Sequence, residues 1–229
     1  MPDARDKHPD IDGVSPADVA IVALAERQHG VVAFRQLEAL GIRRGAVEHR
    51  LAAGRLHRRY KGVYAVGRPS LTTKGHWMAV VLACGPGAAL CHRSAAALWG
   101  LGRDGWKTDV SVPGDRRSRG MIKVHRARLR PEDVSTHDGV PVTTVARTLL
   151  DLAAILTRNQ LIRAIEAAER NELCDLRQVE AVAARYPAAV AQSRFEQPSP
   201  TTATLSTRTA TSSGTSRGLI RKAALPILK

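Results

Sequence analysis

Residues 34–68, FRQLEALGIRRGAVEHRLAAGRLHRRYKGVYAVGR, combine two short amphipathic segments with a basic, alternating one. Phe34, Leu37 and Leu40 predict a short helix, which Gly41 ends because a residue without Cβ turns the chain easily at positive φ. A further helix is predicted to start near Arg43, with Val47, Leu51 and Gly54 on one face. Two helices joined by a tight glycine turn are typical of a helix-turn-helix.

A hairpin is predicted directly after Gly54, where the hydrophobic pattern changes to period two. Leu56, Arg58 and Tyr60 alternate on the first strand, Lys61-Gly62 forms the turn, and residues 63–66 form the second strand. A hairpin that follows a helix-turn-helix is the wing of a winged module.

An additional helix is predicted to precede this stretch. It starts at Pro16 after the N-cap candidate Ser15, places Val19, Val22 and residues 24–25 near helical spacing, and ends before Gly30. The sequence therefore predicts a winged helix-turn-helix over residues 15–68, preceded by a disordered segment at residues 1–14.

Charge indicates the partner of this unit. Residues 34–68 hold nine Lys/Arg against two acids. A charge run of this kind is also compatible with a solvated rim on an ordinary α/β domain, but a basic hairpin directly after a basic helix favours double-stranded DNA.

Helix-turn-helix proteins read base edges with the N-terminal part of their second motif helix, and cations on a wing meet phosphates. Gly45 would allow the backbone to come close to the duplex. The candidate base-reading residues are Arg43, Arg44 and His49, and the candidate phosphate-binding residues are Arg58, Arg59 and Lys61.

Composition sets wider limits. The 229-residue chain has a formal charge of +14, and its aromatic content of 3% disfavours a stacking platform for single strands or RNA. Three cysteines without CxxC spacing suit a reducing compartment, and no signal peptide or membrane-length apolar run is visible. These features predict a cytoplasmic protein without membrane contact. The oligomeric state does not follow from the sequence.

Residues 69–190 predict a second domain of mixed α+β class. Helices are expected over residues 72–85, 91–101, 143–156, 159–171 and 176–186. Between them TDVSVP from Thr108 and MIKVHRARL from Met121 alternate and are separated by a basic, glycine-containing turn, which predicts another hairpin. Val140–Val142 predicts a short extended segment.

No catalytic constellation stands out. His92 with Ser94 or Cys91, and Asp151 elsewhere, could be drawn as a catalytic set, but sequence spacing does not establish such geometry. His92 and Arg93 are expected to orient the start of their helix, Trp99 to lie in the core, and Asp151 to pair with Arg147 one turn earlier.

The eight histidines show no HxxxH or HExxH pattern, and GPGAAL at Gly85 lacks the lysine of a phosphate-binding loop. The sequence therefore predicts a protein that is not an enzyme, with no metal site and no cofactor.

Three blocks together, RRYKGVYAVG (58–67), CHRSAAALWGL (91–101) and GVPVTTVARTLLDLA (139–153), resemble actinobacterial AbiEi-type antitoxins of type IV toxin-antitoxin systems. The resemblance covers about residues 17–186. It implies a winged helix-turn-helix that binds operator repeats and represses its own operon. It also implies an antitoxin-like domain that opposes a nucleotidyltransferase-type toxin without stable contact.

The chain departs from that family pattern at its end. Twelve of the 21 residues in 196–216 are Ser or Thr, so residues 191–229 are predicted to be a low-complexity, disordered tail. We interpret this tail as a frameshifted or truncated C-terminus. The alternative interpretation of the whole chain is a remnant of a DNA-targeting nuclease or defence protein that has lost a C-terminal endonuclease-like domain. A non-specific nucleoid binder is disfavoured because residues 131–190 carry a net charge of −3.

Overall fold

A computed structural model of the protein describes residues 15–187, so the predictions for residues 1–14 and 191–229 lie outside the described part. The described chain is of mixed α+β class, as the sequence predicts, and its strands form two sheets. It divides into two compact units between Ala83 and Cys84. The sequence places the domain boundary earlier, between residues 68 and 69, and that assignment stays a prediction.

The first unit holds four helices and three short strands among its described residues. In chain order they are α1 (Pro16–Glu26), β1 (Val31–Ala33), α2 (Phe34–Ala39), α3 (Arg44–Ala52), β2 (Leu56–Tyr60), β3 (Val63–Val66) and α4 (Thr73–Cys84).

The three strands form one antiparallel sheet in the order β1-β3-β2. β2 and β3 are joined by the predicted turn at Lys61-Gly62, and a bulge interrupts their pairing between Arg58 and Tyr60. The helices α1, α2 and α3 pack on this sheet through buried side chains that include Ile21, Leu37, Val47, Leu56 and Tyr64.

The start of α1 matches the prediction, since the Ser15 hydroxyl accepts a hydrogen bond from the Asp18 amide and Pro16 occupies the first turn. The predicted apolar face of α1 is right at Ala25 but wrong at Val19 and Val22. Val19 and Val22 are 57% and 46% exposed, whereas Ile21 and Ala25 are buried. Almost every position from 17 to 25 is apolar, so the pattern does not distinguish one face from another.

The second unit holds four helices and five strands among its described residues, with a 3₁₀ turn at Pro131–Asp133. In chain order they are β4 (Ala89–Leu90), α5 (His92–Leu98), β5 (Thr108–Val112), β6 (Ile122–Arg126), β7 (Val134–His137), β8 (Val140–Thr143), α6 (Val145–Ala153), α7 (Arg158–Arg170) and α8 (Leu176–Arg185).

The five strands form a mixed sheet in the order β6-β5-β4-β8-β7. The predicted hairpin between residues 108 and 129 is wrong, because β5 and β6 pair in parallel, with Thr108 opposite Ile122 and Val112 opposite Arg126. The segment 113–121 therefore carries the chain back to the starting end of β5 instead of turning it tightly. Alternation shows that both segments are strands, but it does not show their relative direction.

Helices α5 to α8 contribute to one apolar cluster of this unit. Leu149, Leu152, Leu161 and Val182 are among its buried side chains. The helix starts follow from their caps, since the side chains of Thr144, Thr157 and Asp175 each accept a hydrogen bond from a backbone amide three residues later. No helix in residues 15–187 is long and apolar enough to cross a membrane.

Candidate nucleic-acid interface

The first turn of α3 presents two arginines. Arg43 is the N-cap residue and Arg44 the first helical residue, and both side chains are exposed. Gly41, at φ +77°, makes the turn from α2 into α3. The Arg44 guanidinium lies 5.8 Å from the centre of the Phe34 ring at the start of α2, which orients it. Arg43 makes no side-chain cap of its own helix.

The inner face of α3 is held to α1 by a carboxylate. Arg50 Nε donates to Asp18 Oδ1 at 2.7 Å, and Arg55 Nη1 lies 3.1 Å from Asp18 Oδ2. Arg50 Nη1 also donates to the Ala46 carbonyl at 3.0 Å. Because these contacts restrict rotation of α3 about its own axis, Asp18 helps to determine which side chains of the helix are exposed.

This network was not visible in the sequence. Arg50 is buried, Arg55 is engaged by Asp18, and Arg35 Nη1 donates to the Leu82 carbonyl at 2.9 Å. These three arginines belong to the nine basic residues of 34–68. The formal charge excess of that stretch therefore overstates the number of cations that can turn towards a duplex.

The hairpin adjoins the outer side of α3. Arg58 Nη2 lies 3.4 Å from Glu48 Oε1, with both side chains more than half exposed. His49, also exposed, has Nδ1 3.4 Å from Arg55 Nη2. These two contacts join α3 to the strand β2 and the residue before it, so the structure brings His49 and Arg58 to one helix–hairpin junction.

The tip of the hairpin is tied to α2. The Phe34 amide donates to the Gly62 carbonyl at 2.8 Å, next to the exposed Lys61 in the turn. Arg59 is exposed at the bulge and its Nη1 donates to the Pro69 carbonyl at 3.3 Å. Phe34 thus contacts both the Arg44 guanidinium and the backbone of the hairpin turn.

Gly45 allows a test of whether the α3 backbone lies close to bound DNA. An added Cβ at this position meets no atom within 4 Å, and the backbone is not at positive φ. Gly45→Ala is therefore expected to stabilise the free protein by about 0.5–1 kcal/mol through helix propensity. If the α3 backbone lies against a duplex, the same methyl weakens DNA binding.

Thermal unfolding and DNA titration on the same Gly45→Ala preparation separate these two effects. Gly54→Ala serves as the contrasting variant, because Gly54 lies at φ +67° and should destabilise the fold instead. Unchanged DNA affinity in a stabilised Gly45→Ala protein would show that the duplex does not approach this turn.

The hairpin cations should act without regard to sequence. Lys61→Ala is expected to weaken native and shuffled duplexes equally and to reduce the slope of log K against log salt concentration by about one. Arg58→Ala should have a larger effect, because it also uncovers the Glu48 carboxylate, and Glu48→Gln should strengthen binding. Titrations at several salt concentrations measure all three, and a Lys61→Ala loss confined to the native duplex would contradict the phosphate-binding role.

Two of the residues considered for catalysis, Ser94 and Cys91, are in environments that do not suit a nucleophile. The Ser94 hydroxyl donates to Asp104 at 2.7 Å and accepts from the Asp109 amide at 2.9 Å, so it is not positioned by His92. Burial and the nearby carboxylates raise the pKa of the Cys91 thiol, which disfavours its thiolate. The structure does bring Cys91 and Asp151 near His92, with the Cys91 sulfur within 4.8 Å of a ring nitrogen and Asp151 Oδ2 4.0 Å from Nδ1. The His92–Asp151 separation is too long for the hydrogen bond that would orient a catalytic base.

The expected ion pair within α6 is confirmed. Arg147 Nε donates to Asp151 Oδ1 at 2.8 Å, and both side chains are buried. Burial nevertheless raises the pKa of Asp151 to about 6. Trp99 packs against the core, as predicted, and its indole donates to the Thr143 carbonyl at 2.9 Å.

The histidine spacing was a poor guide to metal-ligating groups. The fold brings Cys91, His92 and His125 together, although 33 positions separate the last two in sequence. Burial lowers the pKa of His92 to about 3, so its imidazole is neutral near pH 7.

Comparison with known proteins found one matching family model for each unit. A family model described as "Transcriptional regulator, AbiEi antitoxin" matches residues 19–67, and one described as "AbiEi antitoxin C-terminal domain" matches residues 87–196. A search of curated proteins found no match. The crystal structure of the RV2827C protein from Mycobacterium tuberculosis is similar at 15% sequence identity and a TM-score of 0.47, over 80% of this chain and 76% of that chain.

The two family matches follow the order of the two units. The first lies within the unit that carries α3 and the hairpin, and the second begins in the unit that carries the five-stranded sheet. Together they span about two thirds of the chain. The protein belongs to the AbiEi family of antitoxins.

Proposed function

We propose that residues 15–68 form a winged helix-turn-helix that binds operator DNA, and that the protein represses its own toxin-antitoxin operon. The observation that carries this proposal is the exposed Arg43–Arg44 pair at the start of α3, beside a hairpin with exposed Arg58, Arg59 and Lys61. In this interpretation α2 and α3 are the motif helices, and β2 and β3 are the wing.

The arrangement of the elements supports this interpretation. A helix, a short strand, two helices and a hairpin follow one another, and the first strand pairs with the returning strand of the hairpin. In DNA-binding modules of this kind the N-terminal residues of the recognition helix meet base edges. Arg43 and Arg44 occupy that position here, with His49 one to two turns further along.

Arginine is suited to this role because its guanidinium can donate two parallel hydrogen bonds to guanine O6 and N7 in the major groove. The wing cations would neutralise phosphates and release counterions, which contributes affinity without sequence preference. The proposed division is therefore base reading by α3 and phosphate binding by the hairpin. We propose operator repeats in double-stranded DNA as the target.

For residues 69–190 we propose an antitoxin-like domain that opposes a nucleotidyltransferase-type toxin in the cytoplasm without stable contact. The family match over residues 87–196 supports the antitoxin part of this proposal. This action requires no catalytic step by the antitoxin itself.

A reporter and a growth assay test the two halves separately. Fusion of the upstream region of the gene to a reporter should give expression that falls when the protein is supplied in trans and recovers with Arg43→Ala/Arg44→Ala. Co-expression with the product of a neighbouring nucleotidyltransferase-like gene should restore growth, including with the double variant. Unrepressed reporter expression would overturn autorepression, and absence of growth rescue by the wild-type protein would overturn the antitoxin proposal.

A further inference from the structure

Three side chains with metal-ligating atoms meet in the second unit. The Cys91 sulfur, one ring nitrogen of His92 and one of His125 all lie within 4.8 Å of one another. Cys91 and His92 follow β4, and His125 lies on β6, two positions away in the sheet. We propose that these residues bind a divalent transition-metal ion, with zinc as the ion that best fits the donors.

The donor types support zinc. Thiolate sulfur and imidazole nitrogen are its usual protein ligands, at about 2.3 Å and about 2.0–2.1 Å from the ion. The Cys91 thiol, which stays protonated without an ion, would release its proton to solvent when the cation binds. Hard cations such as Mg²⁺ and Ca²⁺ prefer oxygen ligands instead. Tetrahedral binding would place neighbouring donor atoms about 3.3–3.8 Å apart. The present separations of up to 4.8 Å therefore require a contraction of about an ångström, which rotation of the two rings can supply.

His92 gives the strongest indication. Its Nδ1 atom is buried and has no hydrogen-bond partner among the described residues. Asp151 Oδ2 lies 4.0 Å from that nitrogen, too far for a hydrogen bond but close to the separation of two ligands on one ion. The other oxygen of Asp151 is taken by Arg147, which leaves Oδ2 directed towards His92.

His125 is held in the manner of a metal-bound histidine. Its Nε2 lies 2.7 Å from Asp109 Oδ1, and donation of that N–H leaves the Nδ1 lone pair for an ion. Histidine ligands usually donate their second ring N–H to a carboxylate or carbonyl in this way. His92 and His125 are stacked with their ring centres 3.7 Å apart, so one ring must turn for both to bind the same ion.

The backbone and the surrounding space are consistent with a site. His92 lies at φ +47°, a conformation that costs free energy for a residue with a Cβ and that often occurs at functional positions. A cavity of about 630 Å³ is lined by His92, His125 and Asp151 among others. It would give the ion a path to the three ligands from solvent.

Cobalt titration of the untagged full-length protein tests the proposal. After treatment with a chelator and its removal, one equivalent of Co²⁺ should produce the thiolate-to-metal charge-transfer absorption and the strong visible bands of a tetrahedral site. One equivalent of Zn²⁺ should displace the Co²⁺ and remove this absorption. The untreated protein, expressed with zinc present, should contain zinc by elemental analysis. Absence of the Co²⁺ charge-transfer absorption in the folded wild-type protein would overturn the proposal.

Variants identify the ligands. Cys91→Ser should abolish the charge-transfer absorption, whereas Cys174→Ser, which removes a thiol outside the cluster, should retain it. His125→Gln can keep a hydrogen bond to Asp109 and should weaken Zn²⁺ binding at least tenfold, by analogy with the tenfold to hundredfold effects of altered metal surroundings. Circular dichroism establishes that each variant is folded. Equal Zn²⁺ affinity in wild type and His125→Gln would contradict the assignment even if Cys91→Ser fails to fold.

Discussion

Arg43→Ala and Arg44→Ala are each expected to reduce discrimination between the native operator and a shuffled duplex by about five- to 150-fold. This range corresponds to about 1–3 kcal/mol for the loss of one bidentate contact to a base. Affinity for the shuffled duplex should fall much less, since only one phosphate-directed cation is removed. The ratio of the two dissociation constants at fixed salt concentration measures the effect.

The structure indicates that these two variants will fold. Arg43 forms no side-chain cap that alanine would remove, and alanine is favourable at the first helical position held by Arg44. Arg27→Ala is a matched control, because it removes an exposed arginine at the end of α1, outside α3 and the hairpin. Equal losses on native and shuffled DNA for both α3 variants would show that the base-reading assignment is wrong.

Asp18→Ala is expected to lower the free energy of unfolding of the first unit by about 3 kcal/mol, because it leaves the buried Arg50 guanidinium without its carboxylate. The Arg50 and Asp18 side chains are only 11% and 16% exposed. A loss of this size is a large part of the total stability of a small domain. Chemical denaturation followed by circular dichroism measures it.

Two further variants show which of the two arginine contacts of Asp18 contributes more to the free energy of unfolding. Arg55→Ala should cost at most about 1 kcal/mol, because the Arg55 side chain is 46% exposed and its ion pair is screened by solvent. Asp18→Asn keeps an acceptor for Arg50. Its loss in the free energy of unfolding should therefore lie between those of Asp18→Ala and Arg55→Ala. A free energy of unfolding for Asp18→Ala equal to that for Arg55→Ala would contradict the structural role of the Asp18–Arg50 pair.

Local signals predicted much of the first unit correctly. Ser15-Pro16 indicated the start of α1, Gly41 indicated the turn before α3, and Lys61-Gly62 indicated the hairpin turn. Each of these features depends on residues within a few positions of one another. Backbone preferences and capping therefore carry enough information to predict them from the sequence.

Features that depend on distant residues could not be predicted in this way. The parallel pairing of β5 and β6 depends on the path of the chain between them, and the alternation pattern is the same for either direction. The pairing of Asp18 with Arg50 joins positions 32 residues apart. Nothing in the spacing of the charges distinguished this buried arginine from the exposed ones.

The Cys91–His92–His125 cluster also depends on residues that are distant in the sequence. Motif spacing detects metal ligands that lie on one helix or one loop, such as HExxH, whereas these three come together only because β4, β5 and β6 are neighbours in the sheet. The base-reading and phosphate-binding residues are a different case. The sequence proposed them from their position in a motif, the structure shows them exposed, and their roles stay predictions.

A gel-shift titration of the purified protein tests operator recognition most directly. It compares the upstream region of its own gene with a shuffled duplex of equal length and composition, in the presence of competitor DNA and at two salt concentrations. We expect tighter binding to the native region, with the preference retained at the higher salt concentration. Equal binding to both duplexes that disappears together as salt rises would contradict sequence-specific recognition and leave only electrostatic attraction to DNA.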